Sequence, residues 1–229
     1  MGRGSGKTAY VECATLYALA TGLHKFCVVI SNSAASAQTI LADIWRAIGE
    51  AETAFANDYP EVCLPFALCN GSFRRRQQYR GTPTEISKRA TQIVLARLRN
   101  DSGEELPTSG SILTIKGITS GLRGMRKSLL RPTLVILDDI QDSEDAANQE
   151  TVKKYLDIIR KDIMGLGGKE RLSILATATP ILPDDLAEQL KADAKNWKTT
   201  TYPAIMRYPD NTALWDEYFR LYDRESLDG

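Results

Sequence analysis

The sequence predicts an α/β fold in which helices cover both faces of a mostly parallel sheet. Short apolar segments rich in β-branched residues alternate along the chain with longer segments of helical periodicity. A glycine-rich turn at residues 4–6 opens directly into the first helical segment. Because ligands bind beyond the carboxyl ends of the strands in such sheets, the polar residues that follow the apolar segments are the candidates for function.

The first three elements are read from apolar spacing. Residues 9–20 are apolar at helical density and end before Gly22, a residue suited to the end of a helix. Residues 26–30 form a short β-branched run, typical of a buried strand. A helix follows after polar capping residues, and its apolar face consists of Ala37, Ile40, Leu41, Ile44, Trp45 and Ile48.

The middle of the chain is less regular. Across residues 54–84, Pro60 and Pro65 together with several glycines predict loops with short pieces of structure. Strands are then predicted at residues 93–98 and 111–118, on either side of a polar connection that contains glycine.

The second half returns to a regular alternation of strands and helices. Residues 134–137 are fully apolar and predict a buried strand. Residues 151–164 have helical spacing and stop at Gly165, and the apolar run 172–176 predicts another strand. The remaining predictions are a helix at 184–194, a short strand at 197–202 and a terminal helix at 214–224.

Composition excludes several classes of protein. The 229 residues are 43% hydrophobic and 25% charged, which is ordinary for a globular chain and excludes disorder. Lys and Arg number 29, as do Asp and Glu, so a strongly basic nucleic-acid coat is excluded, although local basic patches are not. No apolar run reaches the roughly 18 residues of a membrane helix, and no secretory signal is visible.

The cysteine pattern does not predict a metal site. The chain has one histidine, His24, and no C-x-x-C pair, so a zinc site is not expected. Cys13 and Cys27 lie in apolar runs and are expected to be buried, which fits a reducing intracellular compartment. The four cysteines are Cys13, Cys27, Cys63 and Cys69.

The turn before the first helix has the composition of a phosphate-binding loop. It consists of Gly4, Ser5, Gly6, Lys7 and Thr8. Glycines let backbone N–H groups face a polyphosphate at a helix N-terminus, while the lysine reaches the β- and γ-phosphates and the threonine hydroxyl binds Mg²⁺. Met1 stands where the full pattern has another glycine, so the alternative is a glycine-rich surface turn with a solvated lysine.

Two adjacent carboxylates, Asp138 and Asp139, end the apolar segment at 134–137. A strand that delivers a carboxylate to Mg²⁺ is the usual counterpart of a phosphate-binding loop. A second carboxylate beside it can orient or deprotonate a water molecule. The alternative is an Asp-rich turn or helix cap after an ordinary strand.

Hydroxyl groups follow the next strand, at Thr177 and Thr179. They could sense a γ-phosphate, but taken alone they are better explained as a plain strand end before Pro180. The loop at 121–126 carries Arg123 and Arg126. An arginine there could contact a γ-phosphate, and the alternatives are a solvated loop or a contact to DNA phosphate.

A basic run formed by Arg74, Arg75, Arg76 and Arg80 is flanked by aromatic residues. These arginines could contact a DNA backbone, but a solvated surface is the simpler interpretation.

In combination and order, these motifs resemble the ATPase domain of the large terminase subunit of tailed bacteriophages. The resemblance spans the chain from Arg3 to about Phe219. Its more specific parts are the Arg-Gly-Met-Arg spacing that ends at Arg126, and a tail with Tyr-Pro-Ala-Ile at 202–205 and Leu-Trp-Asp-Glu at 214–217. The phosphate-binding loop and the Thr-Ala-Thr-Pro segment are shared by many P-loop ATPases.

The resemblance implies a P-loop NTPase fold of the RecA-like (ASCE) type and ATP-driven translocation of double-stranded DNA into a procapsid. It implies ATP and Mg²⁺ as cofactors. It also implies a homo-oligomeric ring that works with a portal protein and a small terminase subunit in the cytoplasm of the host cell. Other DNA-dependent P-loop ATPases, such as helicase-like translocases, and an inactive nucleotide-binding fragment are the alternatives.

Site roles carry over by position. Gly4, Ser5, Gly6, Lys7 and Thr8 match the nucleotide-binding loop, Arg3 matches an arginine that acts on the phosphates in cis, and Arg123 matches one proposed to act on a neighbouring subunit. Asp138 matches the Mg²⁺ carboxylate, with Thr8 as a second ligand. Asp139 matches the catalytic position, where most of the family has Glu. Thr177 and Thr179 match the coupling motif.

Two departures from the family pattern are visible. The strand expected ahead of the phosphate-binding loop is missing, and no set of acidic residues for a nuclease follows the ATPase motifs. The expected organisation is therefore an ATPase domain at residues 1–205 and the start of a linker at 206–229, without nuclease activity.

Overall fold

Four parallel strands form the centre of the structure. The structure is a computed structural model, and it describes residues 4–50, 52–69, 78–122, 125–126, 129–169, 171–203, 207 and 210–227. The predictions that involve Arg3, Arg123 and Arg74–Arg76 lie outside these residues.

Eight α-helices and eight strands occur within the described residues. The helices are α1 (Lys7–Ala20), α2 (Ala34–Gly49), α3 (Ala54–Asp58), α4 (Pro60–Cys69), α5 (Ser143–Ala147), α6 (Gln149–Asp157, which continues as a π-helical segment Ile158–Ile163), α7 (Leu186–Ala192) and α8 (Ala213–Leu227). The strands are β1 (Phe26–Ser31), β2 (Gln78–Tyr79), β3 (Thr82–Pro83), β4 (Ser87–Arg89), β5 (Gln92–Val94), β6 (Ile112–Gly117), β7 (Leu134–Asp138) and β8 (Ser173–Thr177).

The main sheet has six strands in the order β4-β5-β6-β1-β7-β8. Strands β6, β1, β7 and β8 are parallel, and the short strands β4 and β5 extend the sheet antiparallel. The mostly parallel sheet predicted from the sequence is therefore confirmed.

The register brings the carboxyl ends of the central strands level with one another. Ser31 at the end of β1 pairs with Gly117 on one side and with Asp138 on the other. Asp138 in turn pairs with Thr177 at the end of β8. A row of small and polar residues therefore crosses the sheet at the edge where ligands bind in folds of this type.

Two apolar cores lie on opposite faces of the sheet. In β1, Cys27 and Val29 pack with α1 and α2 in one core, whereas Val28 and Ile30 pack with α6 and α7 in the other. This alternation is the period-2 pattern of a strand buried on both faces. Helices on both faces, as predicted, follow from it.

The region around residues 54–69 differs from its prediction as loops, because it forms the helices α3 and α4. Pro60 occupies the first position of α4, where a missing N–H costs nothing. Pro65 lies inside the same helix, but Val62, Cys63 and Phe66 are buried against α2 and its surroundings. Tertiary packing therefore outweighs the loss of one backbone hydrogen bond.

Two smaller predictions are wrong, and one helix was not predicted. The strand predicted at 93–98 ends at Val94. The strand predicted at 197–202 is absent: Trp197 packs on a core, and the residues that follow it are exposed and irregular. The helix α5, at Ser143–Ala147, was not predicted.

Strand β8 lies at one edge of the main sheet, and its residues Ser173 to Ala176 are only half-buried. No strand precedes α1 within the described residues, which begin at Gly4. No described helix is long and apolar enough to span a membrane.

Candidate active site

The loop before α1 is shaped by two glycines. Gly4 and Gly6 have φ angles of 75° and 76°, in the left-handed region that glycine adopts without strain. A Cβ at either position would meet no atom within 4 Å, so backbone conformation, not space, requires glycine here. Lys7 is the first residue of α1, and no side chain caps the helix end. The first-turn N–H groups are therefore placed to donate hydrogen bonds to an anion.

Asp138 is the centre of the site. It is 3% exposed at the end of β7, and each of its carboxylate oxygens accepts a hydrogen bond from a hydroxyl group. Thr8 Oγ1 of α1 donates to Oδ2 at 3.1 Å, and Thr177 Oγ1 of β8 donates to Oδ1 at 2.8 Å. The carboxylate therefore joins three elements that lie far apart in the sequence.

The ionisation of Asp138 is set by opposing influences. Burial raises its pKa, and the negative charge of Asp139 adds to that effect. The hydrogen bonds from Thr177 and Thr8 and the positive charge of Lys7 lower it. Burial has the largest effect and the pKa of Asp138 is raised, so keeping the carboxylate ionised costs free energy. A cation bound beside it would offset that cost.

Asp139 has an unusual backbone. Its φ of 44° lies in the left-handed region, which Asp tolerates better than most residues. Its Oδ2 lies 3.4 Å from Nζ of Lys7, and its Oδ1 accepts the Thr179 N–H at 3.2 Å. Its own N–H donates to the carbonyl oxygen of Thr177 at 3.0 Å. Asp139 is thus held between Lys7 at the start of α1 and the segment after β8.

The side-chain hydroxyl of Thr179, in the segment after β8, is a second feature of the site. Its Oγ1 is buried and has no hydrogen-bond partner among the described residues. A buried polar atom without a partner is costly, and such atoms are common where a ligand or water completes the set of bonds.

The residues that could hold Mg²⁺ are Thr8 and Asp138. No group of three or more His, Cys, Asp or Glu side chains that could hold a metal occurs among the described residues. Mg²⁺ needs no such group, because it is often bound by one or two carboxylates together with substrate phosphates. The Thr8 hydroxyl and the Asp138 carboxylate lie 3.1 Å apart, and both are oxygen donors of the kind that Mg²⁺ prefers. The donor set therefore fits Mg²⁺.

Most of the site residues predicted from the sequence lie together at this edge of the sheet. The structure brings five side chains and the backbone N–H of Thr179 into one network, and the side chains are those of Lys7, Thr8, Asp138, Asp139 and Thr177. Gly4, Ser5 and Gly6 form the loop in front of them. Arg3 and Arg123 lie outside the described residues, and Arg126 is exposed.

One acidic residue near the site was missed. Glu12 lies one helical turn after Thr8 on α1, so the two side chains share a face. Burial, followed by the negative charges of Asp43 and Asp138, raises the pKa of Glu12. The spacing of four residues from Thr8 was a signal visible in the sequence.

Two solved structures of the large terminase ATPase domain of Thermus phage P74-26 are similar to this chain. A point mutant of that domain superposes with a TM-score of 0.55 at 15% identity, and another structure of the domain with a TM-score of 0.50 at 14% identity. Each comparison covers 99% of this chain and 80% of the other. No family model matches the sequence, and neither does any curated protein. The chain therefore shares the α/β fold of these ATPase-domain structures, a mostly parallel sheet with helices on both faces.

Proposed function

We propose that this chain is the ATPase segment of a phage DNA-packaging motor, which couples ATP hydrolysis to the movement of double-stranded DNA into a procapsid. The observation that carries the proposal is the network of Lys7, Thr8, Asp138 and Asp139 at the N-terminus of α1 and the end of β7. The similarity of fold to a large-terminase ATPase domain supports the same function.

ATP binding is assigned to the loop and to the start of α1. The left-handed glycines Gly4 and Gly6 turn the backbone so that N–H groups meet the phosphates. The Lys7 ammonium is 7% exposed and provides a fixed positive charge for the β- and γ-phosphates. Mg²⁺, when bound by Thr8 and Asp138, would neutralise charge that develops on the phosphate oxygens.

Asp139 is assigned the role of orienting the attacking water. In the structure its carboxylate lies beside Lys7. Bound phosphates would compete for the Lys7 ammonium, and this competition would leave Oδ2 of Asp139 available to accept a proton from water. Its other oxygen would keep its hydrogen bond from the Thr179 N–H. This bond links the catalytic carboxylate to Thr177 and Thr179, the residues that match the coupling motif.

The arginine that completes the γ-phosphate site is assigned to Arg3 or Arg123. An arginine from the same subunit or from a neighbour stabilises the charge of the transition state for phosphoryl transfer. The assignment to Arg123 requires a homo-oligomeric ring. The other proposed partners are double-stranded DNA, a portal protein and a small terminase subunit, and the proposed site of action is the cytoplasm of the host cell.

Steady-state ATP hydrolysis tests the catalytic part of the proposal. The chain should hydrolyse ATP only with Mg²⁺, and double-stranded DNA should stimulate the rate. Lys7→Ala should abolish turnover and weaken nucleotide binding, and Asp138→Asn should remove the Mg²⁺-dependent turnover. Lys195→Ala removes an exposed lysine away from these contacts and should hydrolyse ATP at the parent rate.

Two results would contradict the proposal. Parent-level hydrolysis by Lys7→Ala or Asp138→Asn would remove the catalytic assignment. Hydrolysis that double-stranded DNA leaves unchanged, and that supports no DNA uptake when procapsids, portal protein and small subunit are added, would remove the packaging function and leave an ATPase of another kind.

A further inference from the structure

Two buried polar side chains, Gln141 and Asp185, join the chain segments that leave the sheet beside the candidate site. Gln141 lies two residues after Asp139, and Asp185 ends the segment that begins near Thr179. Gln141 is 5% exposed and Asp185 is 0% exposed. Nε2 of Gln141 donates to Oδ2 of Asp185 at 2.9 Å, and the Leu186 N–H donates to Oε1 of Gln141 at 2.9 Å.

The Asp185 carboxylate also organises the backbone on both of its sides. Its Oδ2 accepts the N–H groups of Ile181 and Leu182 at 2.6 Å and 3.2 Å. Its Oδ1 accepts the Glu188 N–H at 3.0 Å and so caps α7. A buried carboxylate is costly unless hydrogen bonds replace those it made with water, and N–H donors supply that replacement here.

These bonds lie close to the groups that hold Asp139. The register of β7 and β8 ends at the pair Asp138 and Thr177. Beyond that pair, the two segments are joined by the Thr179 N–H bond to Asp139 and by the bond between Gln141, two residues after Asp139, and Asp185, six residues after Thr179. Asp185 in turn accepts the N–H of Ile181, two residues after Thr179, so it holds that part of the segment as well. A shift of either segment would therefore move the Asp139 carboxylate relative to Lys7.

We infer that Gln141 and Asp185 are positioning residues for the reaction. They hold the segments after β7 and β8 in one arrangement and so place Asp139 for its work on the attacking water. This inference rests on the ATPase function proposed above. Neither residue touches the reacting atoms, and both act through Asp139 and the backbone of Thr179.

The variant Gln141→Met tests the inference with little change of volume. It removes both hydrogen bonds of Gln141 and leaves the cap of α7 in place. We expect kcat for ATP to fall by up to about 100-fold, because small displacements of catalytic groups have effects of that size, while KM changes little. The amide exchange of Thr179, followed by NMR, should become faster. Gln149→Met makes the same chemical change at an exposed position and is the matched control.

A second variant separates positioning from simple capping. Asp185→Ser keeps an N-cap oxygen for Glu188, but its side chain is too short to reach Gln141. If Asp185 acts only as a helix cap, this variant should behave like the parent. If it positions the segment after β8, its kcat and the exchange of Thr179 should change in the same direction as in Gln141→Met.

The outcomes separate this inference from the proposed function. Parent-like kcat in Gln141→Met, or unchanged exchange at Thr179, would overturn the inference even if the parent is an active ATPase. If the parent hydrolyses no ATP, the proposed function fails and with it the catalytic role inferred for the pair. The exchange of Thr179 in Gln141→Met then still decides whether the pair holds the Asp139 segment.

Discussion

Thr177 lies directly opposite Asp138 in the parallel register of β7 and β8, and its hydroxyl donates to Oδ1 of that carboxylate at 2.8 Å. Thr8 donates to the other oxygen from α1. The buried carboxylate is therefore oriented by protein groups before any ligand binds, and such preorganisation reduces the cost of reaching a reactive arrangement.

Thr177→Val should lower ATP turnover, because it keeps the shape of the side chain but removes the donor to Asp138. A hydrogen bond to a charged group contributes about 1.5–3 kcal/mol, or roughly 10- to 150-fold in an equilibrium or a rate. Loss of the bond should also raise the pKa of Asp138 further, since this bond now lowers it. Steady-state kinetics at fixed Mg²⁺ measures the effect. Thr177→Ser retains a hydroxyl and should remain close to the parent, so equal losses in both variants would point to packing instead.

Asp139→Asn should bind ATP normally and lose the chemical step. The amide is nearly isosteric with the carboxylate and can still accept the Thr179 N–H, but it cannot take a proton from water. Nucleotide binding by fluorescence titration, together with single-turnover hydrolysis, separates the two effects. Glu144→Gln makes an equivalent change on the exposed first turn of α5 and serves as the control. Weakened binding with an unchanged chemical rate would assign Asp139 a structural role.

Mixtures of inactive subunits can distinguish the two candidate arginines. If Arg123 acts on the neighbouring subunit, an Arg123→Ala chain mixed with a Lys7→Ala chain should recover part of the activity, because each supplies what the other lacks. An arginine finger typically contributes about 10³–10⁵ in turnover, so even partial recovery is measurable. Absence of recovery, combined with inactivity of Arg3→Ala, would assign the role to Arg3 within the same subunit.

Thiol labelling should distinguish the buried cysteines from the exposed one. Burial raises the pKa of Cys27 to about 12 and that of Cys63 to about 11. Both thiols therefore remain protonated and unreactive up to about pH 9. The prediction that Cys13 is buried is wrong: Cys13 is exposed, because the face of α1 that packs on the core carries Val11, Thr15 and Ala18. In a Cys69→Ser background, a maleimide should label Cys13 in the native protein and the other two only after unfolding. Native labelling of Cys27 at a rate comparable with Cys13 would contradict the burial of β1.

The parts of the site that depend on local chemistry were predictable. Glycines before an apolar helix and an apolar strand that ends on Asp138 are local patterns, and both are found in the structure. The contacts between them were implied only by motif chemistry, since Thr8 and Asp138 lie 130 positions apart. No local pattern predicts the register that sets Thr177 against Asp138.

The wrong predictions have physical reasons. Pro65 was read as a break, but buried neighbours such as Phe66 keep α4 helical. Residues 197–202 are rich in threonine and aromatic side chains, which favour strands, but they pair with no strand in the described part of the chain, and a strand needs such a partner. Gln141 and Asp185 occur in polar segments of a kind usually found in turns, so their burial could not be read from composition.

The left-handed backbone of Asp139 favours some residues over others at this position. In that conformation an L-residue costs about 1–2 kcal/mol, which aspartate and asparagine offset in part by local hydrogen bonds of their short side chains and which glycine avoids. Glycine and asparagine carry no carboxylate. Aspartate therefore combines the acid chemistry with a small backbone cost. A glutamate would gain reach at a larger backbone cost, one that this chain bears at Glu85, where φ is 52°.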